Sequence, residues 1–208
     1  MFLQALESIR CLCTLATIVE SAPKSTRRCY IPLMRIIGLA GWSGSGKTTL
    51  LTKVIPRIVA RGLTVSTLKH AHHEFDVDVP GKDSHAHRMA GATEVLVGSS
   101  RRWALMHELR HEREPTLDTL LAKLSPVDLV LIEGYKGGPH PKLEVHRGAL
   151  GAPLLAPGDP AIMAIASDIA LPAATVSVVD LDDVERIVDV LIRHAAPRDA
   201  MLAQIGKS

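Results

Sequence analysis

The chain has 208 residues, of which 47% are hydrophobic, 22% charged and 3% aromatic, and its formal net charge is +2. That length and composition are typical of one folded α/β domain, and no apolar run approaches the ~18–20 uncharged residues of a membrane helix. Three cysteines without a Cys-x-x-Cys spacing exclude a disulfide framework. Beyond residue 33, basic and acidic residues are equal in number and only four aromatic residues occur, so a nucleic-acid partner is disfavoured.

Residues 1–33 are predicted to be a leader, either non-native sequence or disordered chain. Their apolar run, Cys11–Val19, has no basic segment before it and no Ala-x-Ala cleavage site, so it does not resemble a signal peptide. Met34 opens a stretch, MRIIGLAGWSGSGKTT, that is typical of the start of a complete domain. We therefore expect the working domain to span residues 34–196, with a C-terminal tail over 197–208.

Within the domain, apolar runs predict strands that alternate with helices. In chain order we expect a strand at 35–40, a helix at 48–62, a strand at 63–68, a polar loop at 69–82 and a helix from 83 or 84 to about 91. A hairpin of 93–98 with 102–107 and a helix at 116–124 should follow. The rest should form strands at 127–134 and 142–146, a loop at 148–160, strands at 161–166 and 175–179, and a closing amphipathic helix along 184–192. This alternation predicts an α/β fold, and the glycine-rich turn at 41–48, between the first strand and the first helix, makes that fold P-loop NTPase-like. Its doubly wound sheet should be mainly parallel, with an antiparallel β-hairpin insertion.

The segment Gly41–Thr48 matches the phosphate-binding (Walker A) pattern G-x-x-x-x-G-K-[ST] between a predicted strand and a predicted helix. Its glycines allow successive backbone N–H groups to face phosphate oxygens, and the following helix adds its positive N-terminus. Lys47 is expected to reach the β- and γ-phosphates, and the Thr48 hydroxyl to bind Mg²⁺. The candidate nucleotide-binding residues here are Gly41, Ser43, Gly44, Ser45, Gly46, Lys47, Thr48 and Thr49.

Glu133 ends the most strand-like run of the chain, where P-loop proteins place the acidic residue that faces the metal. We expect Thr48 and Glu133 to hold Mg²⁺, and Lys47 and Glu133 to serve any hydrolysis. A strand-end surface glutamate is the alternative. Lys136 and Lys142 follow closely and either bind a second anion or are simply solvated.

The histidine-rich segment 69–92 allows three interpretations: a zinc site, a polar surface loop, or a wall of the nucleotide site. The third is preferred, because the segment follows the second strand at the carboxyl edge of the sheet. Asp83 would then be a further Mg²⁺ ligand. Lys69, Lys82 and Arg88 would meet a phosphate-bearing partner.

Asp168 follows a late strand, in the sequence Ile165-Ala-Ser-Asp168, where nucleotide-binding α/β folds often read the base. A carboxylate there would accept hydrogen bonds from the N1–H and 2-amino groups of guanine, whereas adenine has no N1–H. The guanine-reading motif Asn-Lys-x-Asp is absent. An ordinary turn or N-cap role for Asp168 remains open.

Five sequence blocks together resemble the molybdopterin-guanine dinucleotide biosynthesis adaptor family: GWSGSGKTTLL, LKHAHHEFDVDVPGKDSHAHRMAGA, RWALM, LVLIEGYKGGPHPKLEV and AIASD. The resemblance covers about residues 34–194. It implies a dimeric, cytoplasmic GTP-binding protein with weak Mg²⁺-dependent GTPase activity. Such a protein assists the attachment of GMP to molybdopterin, with a molybdopterin guanylyltransferase, and molybdopterin itself, as partners.

Two other functions fit the residues alone. A P-loop kinase would move the γ-phosphoryl group to a small molecule and would use a cation such as Arg88 to stabilise the transferred charge. A zinc-binding regulatory module would be built on residues 70–87. Acceptor-dependent turnover would support the kinase, and a fold that survives without metal would exclude the zinc module.

Overall fold

The computed structural model describes residues 33–71 and 75–205, which belong to one compact unit; residues 1–32, with most of the predicted leader, lie outside the described part. The described strands are β1 (Arg35–Ala40), β2 (Val65–Lys69), β3 (Glu94–Gly98), β4 (Trp103–His107), β5 (Leu129–Glu133), β6 (Lys142–His146), β7 (Ile162–Ser167), β8 (Ser177–Asp180) and β9 (Ala196–Pro197). The described helices are α1 (Lys47–Ala60), α2 (Asp83–Met89), α3 (Leu117–Leu121), α4 (Val184–His194) and α5 (Arg198–Ile205). No helix in these ranges is long and apolar enough to cross a membrane.

Six strands form a parallel sheet in the order β2-β5-β1-β6-β7-β8, and the short β9 pairs antiparallel with the start of β1. Strands β3 and β4 form a separate antiparallel pair. The fold is the predicted P-loop NTPase-like one, including the hairpin insertion. Because β1 has β5 on one side and β6 on the other, its carboxyl end lies where α/β sheets bind ligands.

Apolar side chains cover both faces of the central strands, which explains their continuous hydrophobic runs. One face of β1, with Ile37 and Leu39, packs against α1 and α4. The other face, with Ile36, packs against α3 and against Met201 of α5. Pro56 lies inside α1, which continues to Ala60. The sheet is therefore held rigidly beneath the loop that joins β1 to α1.

The sequence predicted a C-terminal tail over 197–208 and no element within it. In the structure α5 begins at Arg198, and the Arg198 amide donates to the Met34 carbonyl. Met201 is buried in the core. The predicted helix at 116–124 is shorter than expected, with Thr116 as N-cap and Leu121 as its last residue.

Candidate functional site

The loop between β1 and α1 has a backbone that requires glycine. Gly41, Gly44 and Gly46 have φ angles of 140°, 79° and 94°, which L side chains rarely adopt. A Cβ at Gly41 would also lie 2.5 Å from the Val145 carbonyl oxygen and 2.7 Å from Ser45 Oγ. No side chain caps the N-terminus of α1, so among the described residues its first N–H groups stay available to an anion.

Lys47 folds back over this loop. Its ammonium group donates hydrogen bonds of 2.9 Å to the carbonyl oxygens of Gly41 and Trp42. Burial lowers the pKa of Lys47, and the nearby Glu133 carboxylate opposes that shift. The charge is therefore held at the mouth of the loop, where a phosphate chain would lie against the backbone N–H groups.

Thr48 and Glu133, predicted from the sequence to share a metal ion, are in contact. The Thr48 hydroxyl lies 3.1 Å from Glu133 Oε1, and Lys69 Nζ lies 3.7 Å from the same oxygen. The Glu133 side chain is only 13% exposed, so its charge faces this group rather than bulk water. Mg²⁺ prefers a few protein oxygens completed by phosphate and water, and a hydroxyl beside a carboxylate suits that preference.

Asp83, the third predicted ligand, is not joined to that pair. It is the first residue of α2 and is exposed. In the described part of the chain, no hydrogen bond or ion pair links Asp83 to Thr48 or Glu133, so its metal role stays a prediction.

Arg88 does not have the role expected from the sequence. Its guanidinium is bound by three carboxylates, those of Asp76, Asp78 and Glu108, and its side chain is 15% exposed. The Asp76 carboxylate, and after it that of Glu108, raises the pKa of Arg88. Because the positive charge of Arg88 is paired with carboxylates of the chain itself, Arg88 is not free to meet a phosphate-bearing partner.

The described residues contain no group of three metal-ligating side chains, while His72 and His73 of the zinc hypothesis lie outside the described ranges. His70 has its Nε2 2.7 Å from Glu114 Oε1 and its ring centroid 4.6 Å from that of Tyr135. A Cβ at Gly134 would lie 2.7 Å from His70 Cβ. The start of the histidine-rich segment thus packs directly against the turn that follows Glu133.

Lys142 is not the solvated or anion-binding lysine that the sequence suggested. It is 1% exposed, and its ammonium contacts Asp159 Oδ2 at 2.9 Å and the Gly138 carbonyl. Lys136, by contrast, stays near the phosphate loop, with its Nζ 5.3 Å from the centroid of the Trp42 ring. Only Lys136 of these two lysines is placed to meet an anion.

His140 is buried beside Lys142, and neither of its ring nitrogens has a hydrogen-bond partner among the described residues. Burial, with a smaller effect of Lys142, lowers the pKa of His140 to about 4, so the ring is neutral at pH 7. A Cβ at Gly38 would lie 2.5 Å from its Nε2, so β1 needs a glycine there. His140 therefore fills space beside the phosphate-loop strand without carrying charge.

Asp168 lies directly after β7, two strands away from β1 at the same edge of the sheet. Its Oδ1 accepts a 2.8 Å hydrogen bond from the Gly148 amide, which is the main cause that lowers the pKa of Asp168. A cleft of about 290 Å³ opens here, lined by Ser167, Asp168, Ile169, Ala170, Val178, Val179 and Asp180. The predicted base-reading carboxylate is thus ionised and borders an open cleft.

Sequence reasoning assigned no role to Arg147, which lies in this region. Its guanidinium lies near Gly46 of the phosphate loop and its Nη1 is 3.5 Å from Asp168 Oδ2. The sequence did contain a signal for Arg147, because it is a basic residue directly after a predicted strand and so lies at the carboxyl edge of the sheet. Trp42 was also unassigned, and its indole Nε1 donates to the Pro153 carbonyl at 2.8 Å.

Known proteins are similar to this chain in sequence and in fold. The family model described as molybdopterin guanine dinucleotide synthesis protein B (MobB) matches residues 36–168. The molybdopterin-guanine dinucleotide biosynthesis adapter protein of Escherichia coli (strain K12) is 41% identical over 163 residues, which cover 77% of this chain and 93% of that protein. Its Haemophilus influenzae counterpart is 44% identical over 121 residues, or 57% of this chain and 67% of that protein. The crystal structure of Bacillus subtilis MobB has a TM-score of 0.62 at 25% identity, and the match covers 77% of this chain and 98% of that one.

Proposed function

Since this chain belongs to the MobB family of molybdopterin-guanine dinucleotide biosynthesis proteins, we propose that it is a GTP-binding adaptor that assists attachment of GMP to molybdopterin in molybdenum cofactor biosynthesis. The observation that carries the nucleotide assignment is the contact between Thr48 and Glu133 beside the glycine loop. A hydroxyl and a carboxylate beside the glycine loop, with the Lys47 ammonium over that loop, support a binding site for a polyphosphate and its metal ion. The fold and the family support the same conclusion.

The phosphate chain would lie along the loop from Gly41 to Thr48. Backbone N–H groups and the start of α1 would bind the oxygens, and Lys47 would exchange its two carbonyl partners for the β- and γ-phosphates. Thr48 and Glu133 would hold Mg²⁺, which supplies charge neutralisation between the phosphate oxygens. Glu133 would also orient a water molecule, which would allow the weak hydrolysis that the proposal includes.

Guanine would lie in the cleft after β7, with Asp168 as the acceptor of its N1–H and 2-amino hydrogens. The position of Asp168, two strands from the phosphate loop, supports this assignment. Adenine has no N1–H and only one exocyclic donor, so it could not supply the pair of hydrogen bonds that guanine donates to this carboxylate.

The partner is proposed to be the guanylyltransferase that performs the attachment, with the two proteins meeting in the cytoplasm.

We further propose that the chain forms a homodimer through the β3–β4 hairpin. Large side chains of the hairpin are exposed, notably Leu96 at 66% and Trp103 at 68%. Two-stranded sheets are marginally stable alone, and in the described residues no third strand pairs with this one.

No observation favours the kinase alternative. That function required a free cation such as Arg88, and this guanidinium is bound by Asp76, Asp78 and Glu108. The family relatives are described as adapter proteins.

The metal assignment is tested by Glu133→Gln, which keeps the shape of the side chain and removes its charge. We expect GTP to bind the wild-type protein about tenfold more tightly with Mg²⁺ than with EDTA, and expect the variant to lose most of that difference, because a charged ligand is worth roughly 1.5–3 kcal/mol. Calorimetric titration of GTP in both buffers measures this. The matched control is Glu185→Gln, at an exposed side chain of α4. Asp128→Asn is unsuitable as a control, because the Asp128 carboxylate accepts hydrogen bonds from Thr64. An unchanged Mg²⁺ effect in Glu133→Gln would contradict the assignment.

A further inference from the structure

Arg147 lies between the phosphate loop and Asp168, the two parts of the proposed nucleotide site. It is the first residue after β6, the strand that lies between β1 and β7. Its Nε and Nη2 lie 3.5 and 3.6 Å from the position that a Cβ would take at Gly46. Its Nη1 lies 3.5 Å from Asp168 Oδ2. One planar side chain thus spans from the phosphate loop to the carboxylate that follows β7.

Residues 147 and 148 together hold both oxygens of Asp168. The Gly148 amide donates to Oδ1 at 2.8 Å, while Arg147 faces Oδ2. The fit on this side is close, since a Cβ at Gly148 would lie 2.8 Å from the side chain of Ile169. The plane of the carboxylate, which is otherwise free to turn about a broad torsion, is set by two donors from the same segment.

This arrangement leaves acceptor capacity on the outer side of Asp168. Each carboxylate oxygen offers about two lone-pair sites, and one partner on each oxygen leaves one site on each. Guanine presents two parallel donors, N1–H and the 2-amino group, which need two coplanar acceptors. A carboxylate fixed in one plane meets that requirement, and a rotating one meets it only part of the time.

We propose that Arg147 is a specificity-determining positioning residue, which fixes the Asp168 carboxylate relative to the phosphate loop so that guanine's two donors are recognised together with the phosphates. The inference rests on the proposed function, since it assumes that guanine lies at Asp168. It assigns Arg147 no stabilising role. A pair at 3.5 Å whose side chains are 40% and 28% exposed contributes little to folding.

A different role for Arg147 is a direct contact with the phosphates, since the guanidinium is close to Gly46. The two roles differ in one measurable way. A phosphate contact strengthens binding of every nucleoside triphosphate equally, whereas positioning of Asp168 strengthens binding of guanine, with its two donors, more than that of a base with one donor. Inosine triphosphate, which keeps N1–H and lacks the 2-amino group, separates them.

The experiment is a double-mutant cycle on the full chain, with GTP and inosine triphosphate titrated calorimetrically into wild type, Arg147→Ala, Asp168→Ala and the double variant. We expect the wild-type protein to prefer GTP by about tenfold, the worth of one hydrogen bond to a charged group. Each single variant should lose that preference, and the double variant should lose no more than either. Arg147→Lys keeps the positive charge without the planar guanidinium, and like Arg147→Ala it should bind GTP and inosine triphosphate equally well.

Two results would overturn the positioning role: equal loss of affinity for both nucleotides in Arg147→Ala, added to the effect of Asp168→Ala, or an unchanged preference. Arg186→Ala, at an exposed arginine of α4 that does not line the cleft, is the matched control and should retain wild-type selectivity. A wild-type protein that binds neither nucleotide would instead contradict the proposed function itself. Circular dichroism checks that each variant is folded.

Discussion

Replacing Lys47 with alanine is expected to weaken GTP binding about 100-fold, because the variant loses charge-assisted hydrogen bonds to two phosphates. In the free protein the ammonium is held by the Gly41 and Trp42 carbonyls, so it is already placed at the loop and little order is lost when phosphate replaces them. Calorimetric titration of GTP in Mg²⁺ measures the effect. The fold should be unaffected, since Lys47 is not part of either buried hydrophobic cluster.

The matched control is Lys53→Ala on the same helix. Lys53 is about half exposed and pairs loosely with Asp182, at 3.8 Å. Its removal should change GTP affinity less than twofold, because an exposed ion pair contributes little and the site is remote from the loop. If both lysine variants weakened binding to the same degree, general electrostatic attraction would explain the effect, and the specific role of Lys47 would be wrong.

Asp159→Asn is expected to lower the free energy of unfolding by about 3 kcal/mol, the usual cost of leaving one partner of a buried ion pair uncompensated. Lys142 is 1% exposed and relies on Asp159 Oδ2 and one carbonyl. The amide keeps the shape of the side chain and can still accept from the Ala161 amide, which Oδ1 does now. Denaturant unfolding, followed by circular dichroism, measures the loss.

The double variant Asp159→Asn with Lys142→Met separates charge from packing. It removes the buried ammonium while a chain of similar length fills the space, so it should recover most of the stability lost in Asp159→Asn. A single variant that loses less than about 1 kcal/mol would show that Lys142 reaches water or another partner, and that its burial is not stabilised by Asp159.

Local patterns were sufficient to predict the glycine loop and the carboxylate that lies beside it. The glycines and Lys47 are adjacent in sequence, so their geometry follows from the strand and helix that flank them. Glu133 was predictable because parallel strands end at one edge of a sheet, which brings the end of β5 beside Thr48 without any knowledge of side chains. The hairpin was predictable for a similar reason, since its two runs are separated by three residues.

Long-range contacts explain what the sequence could not supply. Lys142 and Arg88 look like ordinary surface cations until the chain brings Asp159 and Glu108 to them from 17 and 20 residues away. Strand β9 and helix α5 show no strong periodic pattern, because their place is set by pairing with β1 and by burial of Met201. The role proposed for Arg147 depends on its position between Gly46 and Asp168, which only the folded chain shows.

The most direct test of the central claim is a calorimetric comparison of GTP and ATP on the wild-type full chain in the presence of Mg²⁺. The proposed site predicts that GTP binds at least about tenfold more tightly, because ATP leaves the ionised Asp168 without the N1–H and 2-amino donors. Equal affinities for the two nucleotides would contradict guanine recognition at Asp168, and with it the proposed role of this chain as a GTP-binding adaptor.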